Sequence, residues 1–113
     1  MKLSILHIET STEVCAVCLS LDRDILSLKN SVLPTQHSSQ LTILIQESLD
    51  SVGLQVHHLD AISVSSGPGS YTGLRVGISA AKGMCYALKK PLIAVDTLKS
   101  LAVGAYMNYK LDA

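Results

Sequence analysis

The stretch "SSGPGSYTGLRVG" (residues 65–77) holds four of the chain's seven glycines and one of its three prolines, between a short apolar run and a long one of helical composition. A glycine-rich turn leading from a strand into a helix offers backbone N–H groups beside the positive end of a helix dipole, an arrangement suited to anions. Spacing separates the known versions of such a turn. No Lys-Ser/Thr pair follows the glycines, so it is not a GxxxxGK[ST] phosphate loop. Gly67, Gly69 and Gly73 read GxGxxxG, one residue longer than the dinucleotide fingerprint, with Pro68 inside the turn. Asp96, following "LIAV", imitates the ribose-binding acid of dinucleotide folds, but the turn comes after the fourth predicted strand rather than the first, which disfavours that reading. The alternative is a tight turn whose glycines bring the following helix down onto a sheet.

That helix is predicted over Tyr71–Leu88, with Arg75 and Lys82 as its only charges. Being apolar nearly all round, it should need cover on two sides. Gly73, Gly77, Ala81 and Cys85 recur every four residues as a small-residue stripe; each helical glycine costs about 1 kcal/mol relative to alanine, which packing must offset. Outward from this segment, "LDAISVSS" (59–66) and "PLIAV" (91–95) read as buried strands. "LSILHIE" (3–9) and "VCAVCLSL" (14–21), separated by "TSTE", read as a β-hairpin. "DILSLKNSVL" (24–33) reads as a third strand, closed by Pro34. From Gln36 to Val52 the period becomes helical: Leu41, Ile45, Ser48 and Val52, flanked by Leu44 and Leu49, share a stripe, Ile43 points away, and Gly53 ends the run. "DTLKSLAVGAYMNY" (96–109) is expected to be a last helix opening at Asp96 or Thr97. The expected fold class is α/β, a mixed sheet in the order β-β-β-α-β-α-β-α.

At 113 residues the chain has the size of one domain. It is 48% hydrophobic and 16% charged, which excludes a disordered tail and predicts apolar surface for a partner to cover. Net charge is +0, unlike a free-standing nucleic-acid binder. Residues 1–70 carry three basic and seven acidic side chains, net −4, whereas residues 71–113 carry six basic and two acidic, net +4. Three cysteines without disulfide spacing fit a reducing compartment, and no run reaches membrane-spanning length, so a soluble cytoplasmic protein is expected.

Two turns could hold phosphate: Gly67–Gly69, and "IETSTEVCAV" (8–17), where Glu9 ends a strand ahead of Thr10, Ser11 and Thr12. In the second, the hydroxyls could equally satisfy turn backbone. Cys15 and Cys18 have CxxC spacing but should face opposite sides of a strand, which disfavours a metal or redox pair. His7, His37, His57 and His58 form no ligand pattern, and Ser38, Ser39 and Ser66 have no evident base, so no catalytic residue and no metal site is assigned.

Taken in order through residues 5–102, "ILHIETSTEVCAVCL", "HSSQL", "VGL" followed by "LDAI", "SSGPGSYTGLRVGISAAKGMCYALKKPLIAV" and "DTLKSLA" are similar to the N-terminal lobe of the TsaB (YeaZ) family. The G-P-G-S-[FY]-T-G-L-R segment is the most specific part. The resemblance implies an actin-like ATPase superfamily lobe with a ribonuclease-H-like core, the second lobe of the family being absent from this chain. It also implies a role in making threonylcarbamoyladenosine on tRNA, as a non-catalytic scaffold without cofactor. Its partners would be a TsaD-type catalytic subunit and other members of the complex, or a second copy when that subunit is missing, with tRNA contacted only indirectly and no membrane. The helices over 37–52 and 71–88 would form the pairing surface, with Leu41, Ile43, Leu44, Tyr71, Leu74, Arg75, Ile78 and Lys82 as docking residues. In TsaD an HxxxH pattern binds metal after the last strand of this lobe; here Thr97 and Leu101 stand at those positions. The acid of the first hairpin, commonly Asp in the family, is Glu9, so Glu9, Thr10, Ser11, Gly67 and Gly69 are expected to be vestigial phosphate turns. An ATP-using phosphotransferase or hydrolase remains the alternative. A peptidase-like label attached to relatives finds no protease constellation here.

Overall fold

The computed structural model describes residues 2–12, 14–31 and 37–96. Its elements are β1 (Ser4–Glu9), β2 (Cys15–Leu21), β3 (Asp24–Ser31), α1 (His37–Ser51), a single 3₁₀ turn (Val56–His58), β4 (Ala61–Gly67), α2 (Tyr71–Leu88) and β5 (Leu92–Asp96). The predicted order is found through β5. The expected last helix lies outside the described residues, except that Asp96 closes β5, pairing with Gly67, and does not open a helix.

The five strands lie in the order β3-β2-β1-β4-β5. β1, β2 and β3 form an antiparallel meander, while β4 joins β1, and β5 joins β4, in parallel. Antiparallel neighbours need only short turns; the two parallel joins need crossovers, which α1 and α2 supply. This mixed sheet separates the chain from a dinucleotide fold, whose strands run parallel and whose glycine turn follows the first of them.

Both helices pack on one face of the sheet. Alternation along the strands sends Leu6 and Ile8 of β1, Val17 and Leu19 of β2, and Ile62 and Val64 of β4 to that side, where they meet Leu41, Leu44 and Leu49 of α1 and Ala81 and Cys85 of α2. The registers Leu6↔Leu19, Ile8↔Val17, Leu6↔Ile62 and Ile8↔Val64 place these side chains in adjacent rows. The opposite face carries His7, Glu9, Cys18, Ser63 and Ser65, with Ile25, Leu28 and Ile93 exposed.

α1 ends where its period predicts, and Gly53 follows at a φ of 71°. α2 begins at Ser70, whose hydroxyl accepts from the Gly73 N–H at 3.3 Å, and closes at left-handed Lys89. Its buried residues are Gly73, Gly77, Ala81 and Cys85, the expected small-residue stripe. With so little side chain between them, helix and sheet approach closely over β1 and β4.

Candidate functional site

Two features of the fold are candidates: the paired turns at the ends of β1 and β4, and the groove between the helices. The turns are locked to each other. The Ser70 N–H donates to the Ser11 carbonyl at 2.6 Å. A Cβ at position 69 would stand 2.5 Å from that carbonyl oxygen, so only glycine fits there. One helical turn further on, the buried Thr10 hydroxyl donates to the Gly73 carbonyl at 2.6 Å and occupies the space that a Cβ on Gly77 would need.

The acid at the end of β1 completes the arrangement. The Glu9 carboxylate accepts from the Ser11 N–H at 2.8 Å, from the Ser11 hydroxyl, and through its other oxygen from the Ser65 hydroxyl. Ser11 and Ser65 are both buried. The hydrogen-bond donors of the first hairpin are therefore spent inside the chain.

The second feature is an open apolar groove of about 780 Å³ between α1 and α2. Leu41 and Ile45 form its α1 wall, Val76, Ala80 and Met84 its α2 wall, and Arg75 stands at one end. The Arg75 guanidinium lies over the Tyr71 ring, 5.4 Å from its centroid, a cation–π contact that fixes both side chains at the rim. Beyond the groove, Tyr71 is 75% and Tyr86 90% exposed, so the described residues leave the outer side of α2 uncovered.

The docking residues expected from the sequence are distributed as follows. Tyr71, Leu74, Arg75, Ile78 and Lys82 share one flank of α2, three and four residues apart, and Arg75 is also a groove residue. Ile43 is exposed on α1. Leu44 is a correction: it is 5% exposed and belongs to the core, because α1 turns its Leu41, Leu44, Ser48 and Leu49 face to the sheet. Leu41 is equally buried and reaches only the groove floor. Sequence reasoning missed Val76, Ala80 and Met84; their i, i+4, i+8 row beside the glycine stripe was the available signal.

Cys15 and Cys18 do face opposite sides: Cys15 is buried in the core, while Cys18 lines a cavity on the other face, and burial raises both thiol pKa values. His7, beside Cys18 in that cavity, has its Nε2 2.9 Å from the Ser20 hydroxyl, and burial holds its pKa below the ordinary 6.5. Among the described residues no group of three or more His, Cys, Asp or Glu side chains could hold a metal ion, and no helix is long and apolar enough to cross a membrane. Thr97 and Leu101 lie outside the described residues.

The family model described as TsaD, tRNA N6-adenosine threonylcarbamoyltransferase, matches residues 26–112. The tRNA threonylcarbamoyladenosine biosynthesis protein TsaB of Escherichia coli (strain K12) is 34% identical over 102 residues, covering 90% of this chain and 44% of the relative. A tRNA N6-adenosine threonylcarbamoyltransferase of Anaplasma phagocytophilum (strain HZ) is 31% identical over 122 residues, covering 95% of this chain and 36% of the relative. Among solved structures, YeaZ from Pseudomonas aeruginosa superposes with a TM-score of 0.88 at 33% identity, over 96% of this chain and 50% of that one. A crystal structure described as an uncharacterized protein with similarity to peptidase YeaZ, from the same organism, has a TM-score of 0.87 at 34% identity, over 93% and 48% of the two chains. The chain spans about half the length of the TsaB relatives it matches.

Proposed function

Since this chain belongs to the TsaB (YeaZ) family, within the wider group that includes TsaD, we propose that it serves threonylcarbamoyladenosine formation on tRNA as a non-catalytic docking lobe. Its α1–α2 face seats against a TsaD-type subunit in the cytoplasm. The observation that carries this reading is the open groove between the helices, with the Tyr71–Arg75 pair at its rim. Apolar walls gain from being taken out of water, and a stacked Tyr and Arg have little rotamer freedom left to lose, which suits them as anchors. Charge sorts in the same sense: α1 exposes Glu47 and Asp50, whereas α2 exposes Arg75 and Lys82. A two-fold pairing of copies, α1 over α2, brings opposite charges together, so the same face serves a homodimer when the other subunit is missing. The internal bonding of the Glu9 turn supports a docking role over nucleotide chemistry in this lobe, because its donors are already engaged.

Sedimentation velocity of the chain mixed with a TsaD-type subunit tests the proposal. Arg75→Glu combined with Ser79→Arg, both at exposed positions on the groove, should abolish the heavier species, while Ile25→Ser on the exposed β3 edge should leave it intact. A folded groove variant that still associates like the parent sinks the reading.

A further inference from the structure

Three hydrogen-bond donors converge at the junction of the two turns, the Ser11 N–H, the Ser11 hydroxyl and the Ser65 hydroxyl, and all three point at one carboxylate, that of Glu9. Backbone and hydroxyl donors gathered on a single anion are the means by which proteins hold phosphate. Here the anion is covalently part of the chain. It reaches the cradle from the end of β1 and bridges to β4 through its second oxygen. The carboxylate also forms part of the floor of a cavity of about 530 Å³ on the helix-free face of the sheet, bordered by His7, Ala16, Ser63 and Ser65. A small anion from solvent therefore has a route to the place that Glu9 fills.

We infer that Glu9 is the resident anion of a phosphate cradle, so that the chain refuses phosphate at this turn, and removal of the carboxylate uncovers a site for a tetrahedral oxyanion. The physical reason is exclusion by charge and by use. An incoming phosphate would have to lie within contact distance of a carboxylate and compete for donors already tethered to it at high effective concentration. With the side chain cut back to a methyl group, Ser11 and Ser65 are left as buried donors without an acceptor, an unfavourable state that a bound phosphate relieves.

The experiment uses inorganic phosphate as probe, against sodium chloride at matched ionic strength. It compares the 113-residue chain with its Glu9→Ala and Glu9→Ala/Ser65→Ala variants, following thermal unfolding and the Ser11 amide resonance. The expected result is that Glu9→Ala binds phosphate saturably, at least about tenfold more tightly than the parent, with Ser11 shifting as it binds. Adding Ser65→Ala should weaken that binding severalfold. Should Glu9→Ala be unfolded in chloride, phosphate should restore its structure, and restore it less in the double variant. General salting-in or salting-out would treat the two variants alike. Equal phosphate binding by the parent, no binding by a folded Glu9→Ala, or identical responses of the two variants each overturn the inference.

Discussion

Alanine at position 77 and alanine at position 83 replace glycine in the same helix, and the structure requires them to act in opposite directions. A Cβ on Gly83 meets nothing within 4 Å, so Gly83→Ala should collect the helix-propensity gain of about 1 kcal/mol without opposition. A Cβ on Gly77 runs into the Thr10 hydroxyl, with the Ile8 side chain 3.5 Å away. Relief requires α2 to lift from β1 or Thr10 to turn, and turning Thr10 breaks its buried bond to the Gly73 carbonyl. Overpacking costs about 1–3 kcal/mol. A buried hydroxyl left without its partner costs about 1–3 kcal/mol more. Set against the same propensity gain, Gly77→Ala should destabilise by about 1–5 kcal/mol, several degrees in Tm for a domain of this size. Urea unfolding followed by circular dichroism, on the parent and both variants, measures the two signs. Thr10→Ala combined with Gly77→Ala should cost clearly less than the two single changes added, since either one removes the same collision. A Gly77→Ala protein as stable as Gly83→Ala, or strict additivity with Thr10→Ala, would refute the claim that the Thr10–Gly77 contact sets the distance between helix and sheet.

Two further outcomes follow from single side chains. His7 has its folded-state pKa lowered by burial, so the unfolded chain binds a proton first and stability should fall as pH drops below about 6.5 and on through the folded value. Its charged or titratable neighbours on that face are Glu9 and Cys18, and in His7→Gln the slope of unfolding free energy against pH in this window should flatten. Ser48 is fully buried in α1, and its hydroxyl has no hydrogen-bond partner among the described residues. Ser48→Ala should therefore raise stability by up to about 2 kcal/mol, from the removed orphan and the better helix former, and a loss of midpoint in urea would contradict this.

Much of the fold was legible because the relevant signals are local. Alternation in 3–9 and 14–21, the switch to helical spacing after Gln36, and the Gly73-Gly77-Ala81-Cys85 row all survive in the structure as β1, β2, α1 and the buried stripe of α2. The opposite facing of Cys15 and Cys18 needed only the two-residue period of a strand. The docking residues were less legible. Ile43 and Leu44 are adjacent, and helical direction separates them only once it is known which side of α1 meets the sheet; Leu44 proved to be core. Asp96 sits where strand and helix signals overlap, and pairing with Gly67 decided for the strand.

What the chain's order of residues determined by itself is the set of elements and the glycine positions at which backbones must come close, since both follow from steric rules within a few residues. Tertiary structure alone decided how the two turns use each other. That Glu9 bridges Ser11 and Ser65, 56 residues apart from the latter, and that Thr10 bonds Gly73 across 63 residues, depends on β1 lying beside β4 with α2 pressed down upon them. Hydrogen-bond partners that distant leave no periodic trace, because nothing in the local chain records which acceptor will be within reach after the sheet has formed.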